Sequence, residues 1–273
     1  MKIFKYTDHH AIDVVRDCRV KVSVPNRLND PFEFLPKIDP KTLTMEWALN
    51  SLRQEEVIKE FFEQEDRRHG FCNFSDYKQW HLQNLKQIAE ERLQIIREHV
   101  EFRQEAFAEG STQHWRVFCA SRRRNSILMW SHYAKNHEGV VIELDTDEPD
   151  LFRANGEFTF DVKYSKERSS SVNSRDVDQF GKEFLRIAGT KSSDWKYEEE
   201  VRLVFARTDC VDDCFVPIAK STVKSVVFGC RIHDMFEAQM LKILGHKDYA
   251  HVSIYRASQS KTRYELEFEQ VKR

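Results

Sequence analysis

The 273-residue sequence predicts an α+β fold, built on a mixed, largely antiparallel sheet with flanking helices and a long helical insert. Several segments alternate apolar and polar residues with the period of two that is typical of strands, and many follow one another without a crossover helix. Residues 40–110 instead place apolar side chains at helical spacing among many charges. The chain has only eight glycines and no glycine-rich strand-to-helix turn, which argues against Rossmann and P-loop folds.

The first part of the chain predicts two strands, a short helix and a structured loop. Residues 3–7 and 20–24 are strand-like, and between them we expect a short helix that Asp8 can cap and that runs to about residue 18. Residues 26–34 are dense in turn formers, since Asn and Asp side chains bond to nearby backbone and Pro31 fixes its own φ. This segment is therefore expected to be an ordered loop that carries acidic and amide side chains.

After the insert the pattern becomes mixed again. Strands are predicted at 115–121, 140–144, 158–164, 191–205, 215–218, 223–228, 251–255 and 264–271. Helices are predicted at 127–133, 177–188 and 234–244, the first of them capped by Asn125 or Ser126. We therefore expect a single α+β domain over residues 1–273, with the helical insert at 40–110 within it.

The stretch 191–205 has the most informative polar pattern. As a strand it places Glu198, Glu200 and Arg202 on one face, opposite a mostly apolar face. One interpretation is a solvated face with weak ion pairs. The other is a carboxylate that Arg202 holds and Trp195 covers, at the edge of a binding cleft.

Composition restricts the classes of partner. The formal net charge is −2, from 43 basic and 45 acidic residues, so any nucleic-acid contact is expected to be local. No segment approaches the roughly 18 consecutive apolar residues of a membrane span, and we expect a cytoplasmic protein with no membrane partner. The six cysteines are scattered and are expected to be reduced, and no metal is expected.

Several blocks of the sequence together resemble a bacterial family known as domain of unknown function family 2971. The blocks are Lys5-Tyr6, residues 29–33, 118–121, 129–134, 137–139 and 191–202. The resemblance covers residues 1–35 and about 115–235. The combination of these sequence blocks is specific to the family. The family name implies no activity.

A more distant likeness is to ADP-ribosyltransferases, whose split sheet binds NAD between a first-strand Arg or His, a central Ser or Tyr and a late-strand Glu. Here Lys5-Tyr6, then Ser121 or Tyr133, then Glu198 or Glu200 follow the same order. Lys or Tyr stands where Arg or His is usual. The likeness implies a toxin, defence or modification enzyme that takes NAD as substrate and transfers ADP-ribose to a macromolecular acceptor.

The candidate site residues follow from this likeness and from the chemistry of glycosyl transfer. Glu200 is the first choice and Glu198 the second for stabilising positive charge on the ribose, with Tyr133 beside them. The candidate ligand-binding residues are Lys5, Tyr6, Asn29, Asp30, Glu33, Ser121, Arg122, Trp130, His132, Trp195 and Arg202.

Two other functions compete with the transferase. One is a non-catalytic sensor or interaction module that binds a small ligand or a partner in the same cleft. The other is a metal-dependent nuclease that would use Asp30, Glu33, Glu198 and Glu200. For single motifs a structural role also competes, since residues 29–33 can be an ordinary turn and Met129 and Trp130 ordinary core.

Overall fold

The computed structural model describes residues 1–38, 43–64, 70–147, 158–171, 184–212 and 214–271. The chain divides into two compact units. The first unit consists of residues 1–34, 109–167 and 189–273, and the second of residues 35–108 and 168–188. The predicted helical insert overlaps the second unit, which also includes the later segment 168–188.

The α+β class is confirmed, and the first unit contains an eight-stranded sheet with the order β14-β13-β12-β5-β1-β4-β10-β6. Its strands are β1 (Lys2–Thr7), β4 (Trp115–Ser121), β5 (Val140–Asp145), β6 (Phe158–Asp161), β10 (Glu200–Ala206), β12 (Val223–Phe228), β13 (Ser253–Gln259) and β14 (Leu266–Gln270). All neighbouring pairs are antiparallel except β12 and β13. Those two are parallel, and a helix connects them, as parallel neighbours require.

The sheet order brings separate parts of the sequence side by side. β4 pairs with β1 on one side and with β10 on the other, with Ser121 opposite both Phe4 and Glu200. Alternate residues of these strands point to the same face. The first strand, the central strand and the late strand that carry the polar blocks are therefore immediate neighbours.

Short elements complete the first unit. They are β2 (Arg19–Lys21) with β11 (Phe215–Pro217), β7 (Lys163–Ser165) with β9 (Thr190–Ser192), and the helices α1 (Ala11–Arg16), α7 (Ile127–Tyr133) and Asp234–Leu244. Short 3₁₀ helices lie at Pro25–Arg27, Ser193–Glu198, Arg207–Asp209, Lys220–Thr222 and Lys247–Tyr249. The main core contains apolar residues such as Ile3, Phe118, Leu203 and Phe228, which burial removes from water.

The second unit is mainly helical and has a core of its own. Its helices are α2 (Met45–Leu52), α3 (Glu55–Glu63), α4 (Phe74–Gln83), α5 (Leu85–Glu98) and the first part of α6 (Val100–His114), whose residues from 109 onwards belong to the first unit. Thr44 and Asn73 cap α2 and α4 by accepting backbone N–H groups three residues ahead. Leu85, Ala89, Leu93 and Ile96 are buried at helical spacing along α5, as the sequence pattern predicts, whereas Leu82 of α4 is exposed. Strands β3 (Lys37–Ile38) and β8 (Ser170–Ser171) pair in parallel.

Several element boundaries differ from the predictions. The strand predicted at 158–164 is two strands, because β6 pairs with β10 whereas β7 pairs with β9. The strand predicted through 191–205 is β9, a 3₁₀ helix and then β10. Residues 184–188 are helical, and the rest of the helix predicted at 177–188 lies outside the described residues. Ser126 caps α7, as predicted.

All six cysteines are free thiols, as predicted. Among the described helices, none has the length and hydropathy needed to cross a bilayer.

Candidate functional site

A cavity of about 230 Å³ lies in the first unit, where β1, β4 and β10 meet α7 and the loop that follows β2. We call it the first cavity. Its wall contains apolar, hydrogen-bonding and charged residues: Phe4, Lys5, Tyr6, Ser23, Arg27, Leu28, Asn29, Glu33, Cys119, Ala120, Met129, Tyr133, Lys191, Glu198 and Glu200. Small-molecule sites combine an apolar lining with a few oriented polar groups in this way.

A buried charged cluster forms one side of the first cavity and continues behind it. The charged cluster consists of Glu33, Lys191, Glu198, Glu200 and Arg202, each no more than 6% exposed. Burial of this kind contradicts the solvated strand face that remained open from the sequence. Buried charges of this number are tolerated only when they are paired and hydrogen-bonded.

Lys191 is the centre of the charged cluster. Its Nζ donates to Glu198 Oε2 at 2.6 Å and to Glu200 Oε2 at 3.0 Å, and lies 3.2 Å from Glu33 Oε1. An ammonium has three donors, so one lysine can contact all three carboxylates. Burial opposes the charge, but the three carboxylates outweigh it, and the pKa of Lys191 lies above its ordinary value. Lys191 is therefore a permanent cation.

Arg202 holds Glu200 from the core side. Its Nε donates to Glu200 Oε1 at 2.7 Å and its terminal nitrogen donates to Glu200 Oε2 at 3.0 Å, the two-point geometry that suits a guanidinium and a carboxylate. The same guanidinium also donates to Glu33. Burial alone would raise the pKa of Glu200, but Arg202 and Lys191 lower it to about 2. Glu200 is therefore fully ionised at neutral pH.

The pKa values of Glu198 and Glu33 shift in the opposite direction to that of Glu200. Burial raises the pKa of both carboxyl groups more than their cationic neighbours lower it. The charged cluster has three carboxylates for two cations, so a buried charge is left over. Glu198 and Glu33 are the members that take up a proton most readily.

A chain of hydrogen bonds leads from the loop after β2 to Glu198. Asn29 donates its side-chain amide N–H to the Tyr133 hydroxyl, which in turn donates to Glu198 Oε1 at 2.5 Å. Burial and the neighbouring Glu198 raise the pKa of Tyr133, so its hydroxyl keeps its proton. Tyr133 thus presents a fixed donor to Glu198 and an oxygen to the cavity.

The segment between β9 and β10 explains how Glu198 and Glu200 reach the same wall. Glu198 ends a 3₁₀ helix, Glu199 has left-handed backbone angles with φ of 42°, and β10 begins at Glu200. Ser121 donates its hydroxyl to the Glu198 carbonyl at 2.6 Å, and the Arg122 amide donates to the Glu199 carbonyl at 2.9 Å. These bonds anchor the turn to the end of β4. Glu199 itself points to solvent, where it pairs with Arg123.

Lys5 differs from the other cations of the site. Its Nζ donates to the Cys119 carbonyl at 2.7 Å and lies 4.9 Å from the centre of the Phe118 ring. Among the described residues no carboxylate lies within ion-pair distance of it. Burial lowers the pKa of Lys5. The first cavity therefore has a cation that no carboxylate of the described residues neutralises.

The structure brings about half of the predicted site residues to the first cavity. Those on its wall are Lys5, Tyr6, Asn29, Glu33, Tyr133, Glu198 and Glu200. Arg202 and Ser121 lie directly behind it, where they bond to members of the wall. The Trp195 ring lies under Lys191, 4.9 Å from its Nζ, and does not line the cavity.

The other predicted ligand-binding residues have structural contacts instead. Arg122 forms an ion pair with Asp161 at 2.7 Å, and Trp130 is buried with its indole N–H on the Arg124 carbonyl. His132 is exposed beside the rings of Tyr133 and Tyr197. Asp30 is buried and accepts the Phe32 amide at 2.9 Å, which is the turn bond expected of an Asp before Pro.

Sequence reasoning missed Lys191, Arg27 and Cys119 as wall residues. Lys191 belongs to one of the resemblance blocks, but a lone lysine ordinarily lies on the surface. The signal available was its distance of seven and nine residues from two glutamates that were themselves candidates.

Comparison with known proteins finds a family model that matches part of the chain. Residues 129–203 match the model of a family described as a protein of unknown function, DUF2971. This confirms the predicted family resemblance for that segment, which includes Tyr133, Lys191, Glu198, Glu200 and Arg202. No curated protein and no solved structure matches the chain.

Proposed function

We propose that the first cavity of this chain, part of which matches the DUF2971 family of unknown function, is the active site of an ADP-ribosyltransferase-like enzyme. Its substrate would be NAD or a related nucleotide. One observation carries the proposal: the ammonium of Lys191 holds Glu198 and Glu200 together on the wall of a cavity. Paired carboxylates with unequal pKa values suit glycosyl transfer, because the bond being broken develops positive charge on the sugar.

Glu200 is assigned the electrostatic role. Its low pKa keeps it ionised at neutral pH, and its two-point contact with Arg202 fixes its orientation. A preorganised charge stabilises an oxocarbenium-like ribose without having to reorient during the reaction.

Glu198 is assigned the proton-transfer role. As the glycosidic C–N bond breaks, nicotinamide leaves with the bonding electron pair. The acceptor then forms a new bond to the same ribose carbon and gives its proton to Glu198, whose pKa burial raises. Tyr133 and Asn29 orient Glu198 through their hydrogen-bond chain.

Lys5 and Arg27 are assigned to the phosphates. Neither cation has an ion-pair partner among the described residues, and both line the first cavity. The cavity volume of about 230 Å³ is below the range of about 300–1,000 Å³ typical of ligand pockets, so we expect it to hold the reacting end of the nucleotide. The rest would extend towards Arg27, which is exposed.

A second candidate is a non-catalytic sensor that binds a small ligand in the first cavity. The observation that favours it is the dense pairing of the charged cluster, in which Lys191 and Arg202 already bind all three carboxylates. A wall whose carboxylates already have cationic partners suits recognition as well as catalysis.

The position of Lys191 disfavours the metal-dependent nuclease. Its ammonium lies among Glu33, Glu198 and Glu200, where a divalent cation bound to the same carboxylates would have to lie. Asp30, the remaining acidic candidate, is absent from the cavity wall.

NAD turnover with label transfer to candidate acceptors tests the proposal. Glu198→Gln and Tyr133→Phe are the main variants, because both retain side-chain volume and the second leaves every charge in place. We expect Glu198→Gln to lower the rate by about 10²-fold or more and Tyr133→Phe by less. Glu199→Gln is the matched control, since that carboxylate is exposed and points away from the first cavity.

Thermal unfolding with and without NAD separates the outcomes. A ligand that binds only the folded state raises its stability. If NAD stabilises the protein but is not turned over, the sensor function is favoured over the enzyme. The proposal is overturned if NAD is neither consumed nor stabilising. Equal rates in Glu198→Gln and the wild type would remove Glu198 from the mechanism.

A further inference from the structure

A second cavity, of about 580 Å³, also lies in the first unit and shares no lining residue with the first. Its walls are the start of α7, the turn after α7, residues 230 and 231 after β12, and the loop that joins β13 to β14. The volume is within the range of about 300–1,000 Å³ typical of small-molecule sites. The second cavity is therefore large enough for a ligand of its own.

The charges of the second cavity are predominantly positive. Its lining includes Arg231, Lys261 and Arg263, against the single carboxylate of Glu265. Glu265 pairs with Arg263 at 2.7 Å, whereas Arg231 and Lys261 form no ion pair within the described part of the chain. Two unpaired cations face one cavity on a chain whose formal net charge is −2.

His137 also lines the second cavity. Its ring stacks on Trp130 at 6.1 Å with an interplanar angle of 8°, and its Nε2 lies 3.2 Å from the Ser131 hydroxyl. Its Nδ1 is buried and has no hydrogen-bond partner among the described residues. Burial and the nearby Arg231 lower the pKa of His137, which favours the neutral ring. If Ser131 donates to Nε2, the ring proton lies on Nδ1.

The backbone holds His137 in place at a steric cost. Lys135, Asn136 and His137 all have left-handed backbone angles, with φ of 48°, 54° and 70°. Three consecutive non-glycine residues rarely adopt this conformation. The Arg231 amide donates to the His137 carbonyl at 3.0 Å, so the strained turn fixes His137 next to Arg231. Strain of this kind is concentrated at functional sites.

We propose that the second cavity binds a small phosphate-bearing ligand. Arg231 and Lys261 would pair with the phosphate. Phosphate offers several acceptor oxygens and a double charge, and a guanidinium matches its geometry at two points. The proposal is independent of the reaction at the first cavity, because the two sites have different residues.

Calorimetric titration of the full chain at low ionic strength tests the proposal. The probes are inorganic phosphate and glycerol 3-phosphate, which distinguish a site for the free ion from a site for an ester. We expect saturable binding that Arg231→Gln weakens about tenfold or more. Lys242→Gln, which removes an exposed lysine outside both cavities, is expected to leave this affinity unchanged, whereas loss of binding in Arg27→Gln would place the phosphate at the first cavity.

NMR of the histidine rings locates the bound phosphate. The His137 ring signals are expected to shift on titration, whereas those of exposed His132 are not. The proposal is overturned if neither probe saturates at about 10 mM, a concentration that would detect even millimolar affinity. It is equally overturned if Lys242→Gln weakens binding as much as Arg231→Gln, or if Arg27→Gln alone abolishes it.

Discussion

At the scale of single residues, Lys191 pairs with three buried carboxylates at once. It contacts Glu33, Glu198 and Glu200 while its side chain is only 3% exposed. Removing one partner of a buried ion pair is costly because the other charges stay buried without compensation. The three carboxylates can lie together because this ammonium and the Arg202 guanidinium pair with them.

Lys191→Met should therefore lower the free energy of unfolding by about 3–5 kcal/mol at neutral pH, the cost of an uncompensated buried charge. The deficit should shrink as the pH falls, because protonation of the carboxylates relieves their repulsion. Urea unfolding measures both effects. Lys196→Met, at an exposed lysine of the same segment, should stay within about 0.5 kcal/mol of wild type. A deficit that grows towards acid pH would contradict this account of the charged cluster.

The lowered pKa of Glu200 predicts a pH-dependent contribution to stability. A carboxyl group with a folded-state pKa of about 2 against an ordinary 4.5 stabilises the fold above pH 4.5 and loses that effect as the pH falls towards 2. The shift corresponds to about 3 kcal/mol. The deficit of Glu200→Gln should therefore be largest near neutral pH and should decline below about pH 4.5.

Glu33→Gln should show the opposite pH dependence of stability to Glu200→Gln. The pKa of Glu33 is raised, so its contribution to stability is complete at low pH and declines as the pH rises through the folded-state pKa. Relative to wild type, Glu33→Gln should therefore become more stable with rising pH. The same pH trend in both variants would contradict the opposite pKa shifts of these two groups.

At the scale of elements, the junction between the 3₁₀ helix and β10 decides where Glu198 and Glu200 lie. Period-two alternation predicts a continuous strand, in which Glu199 would be extended and share a face with Val201. Instead Glu199 is left-handed, with φ of 42° and ψ of 54°. This one residue ends the helix and starts the strand. It allows Glu198, from a helix, and Glu200, from a strand, to reach the same ammonium.

Substitutions at Glu199 test this geometry. Glu199→Val should destabilise the fold by about 1–2 kcal/mol, because a β-branched side chain is strained at positive φ. Glu199→Gly should match or exceed wild type, since glycine adopts this conformation without strain. Both variants lose the ion pair with Arg123, but this pair is exposed and its loss contributes little to stability. Thermal or urea unfolding gives the order of the two variants.

The same two substitutions at Glu267 provide the control for this order. Glu267 is exposed in β14, opposite Ser258 of β13, where valine suits the extended backbone better than glycine. Valine should therefore be the more stable variant at Glu267 and the less stable one at Glu199. The same order at both positions would mean that Glu199 is extended.

At the scale of the whole molecule, the chain is held by packing and not by covalent cross-links. Each of the two units has its own apolar core, and all six cysteines are free. Cys72 is exposed, whereas the others are partly buried. Burial also raises the pKa of the Cys119 thiol well above its ordinary value.

Thiol titration of the folded chain should therefore show separate phases. Cys72 should react first and Cys119 among the slowest, because the thiolate is the reactive form. Cys72→Ser should remove the fast phase and leave the rest unchanged. After unfolding without a reducing agent, all six thiols should react. A lower count would reveal a disulfide and contradict the structure.

The sequence by itself determined the α+β class, most strands of the first unit and the helical core of the second. These features depend on local periodicity and on capping residues such as Ser126. Both signals involve residues that are close together in the sequence. The polar blocks also indicated which segments would matter, and Lys5, Asn29, Tyr133, Glu198 and Glu200 do line one cavity. Trp130 and Arg122 were predicted to bind ligand but do not line the cavity. Aromatic residues also pack in the core and basic residues also form surface ion pairs, so their type alone does not identify a site.

Only the tertiary structure decided that the polar face of the late strand is buried and that Lys191 is its centre. Arg202 and Glu33 are in contact across 169 residues of sequence, and no local pattern encodes a partner at that distance. Lysine is usually exposed, so its burial depends on three carboxylates that the sheet order and the left-handed Glu199 bring together. The alternating polar pattern of residues 191–205 is visible in the sequence. Its charged side chains form a site only because residues distant in sequence, such as Glu33, pack against them and bury them.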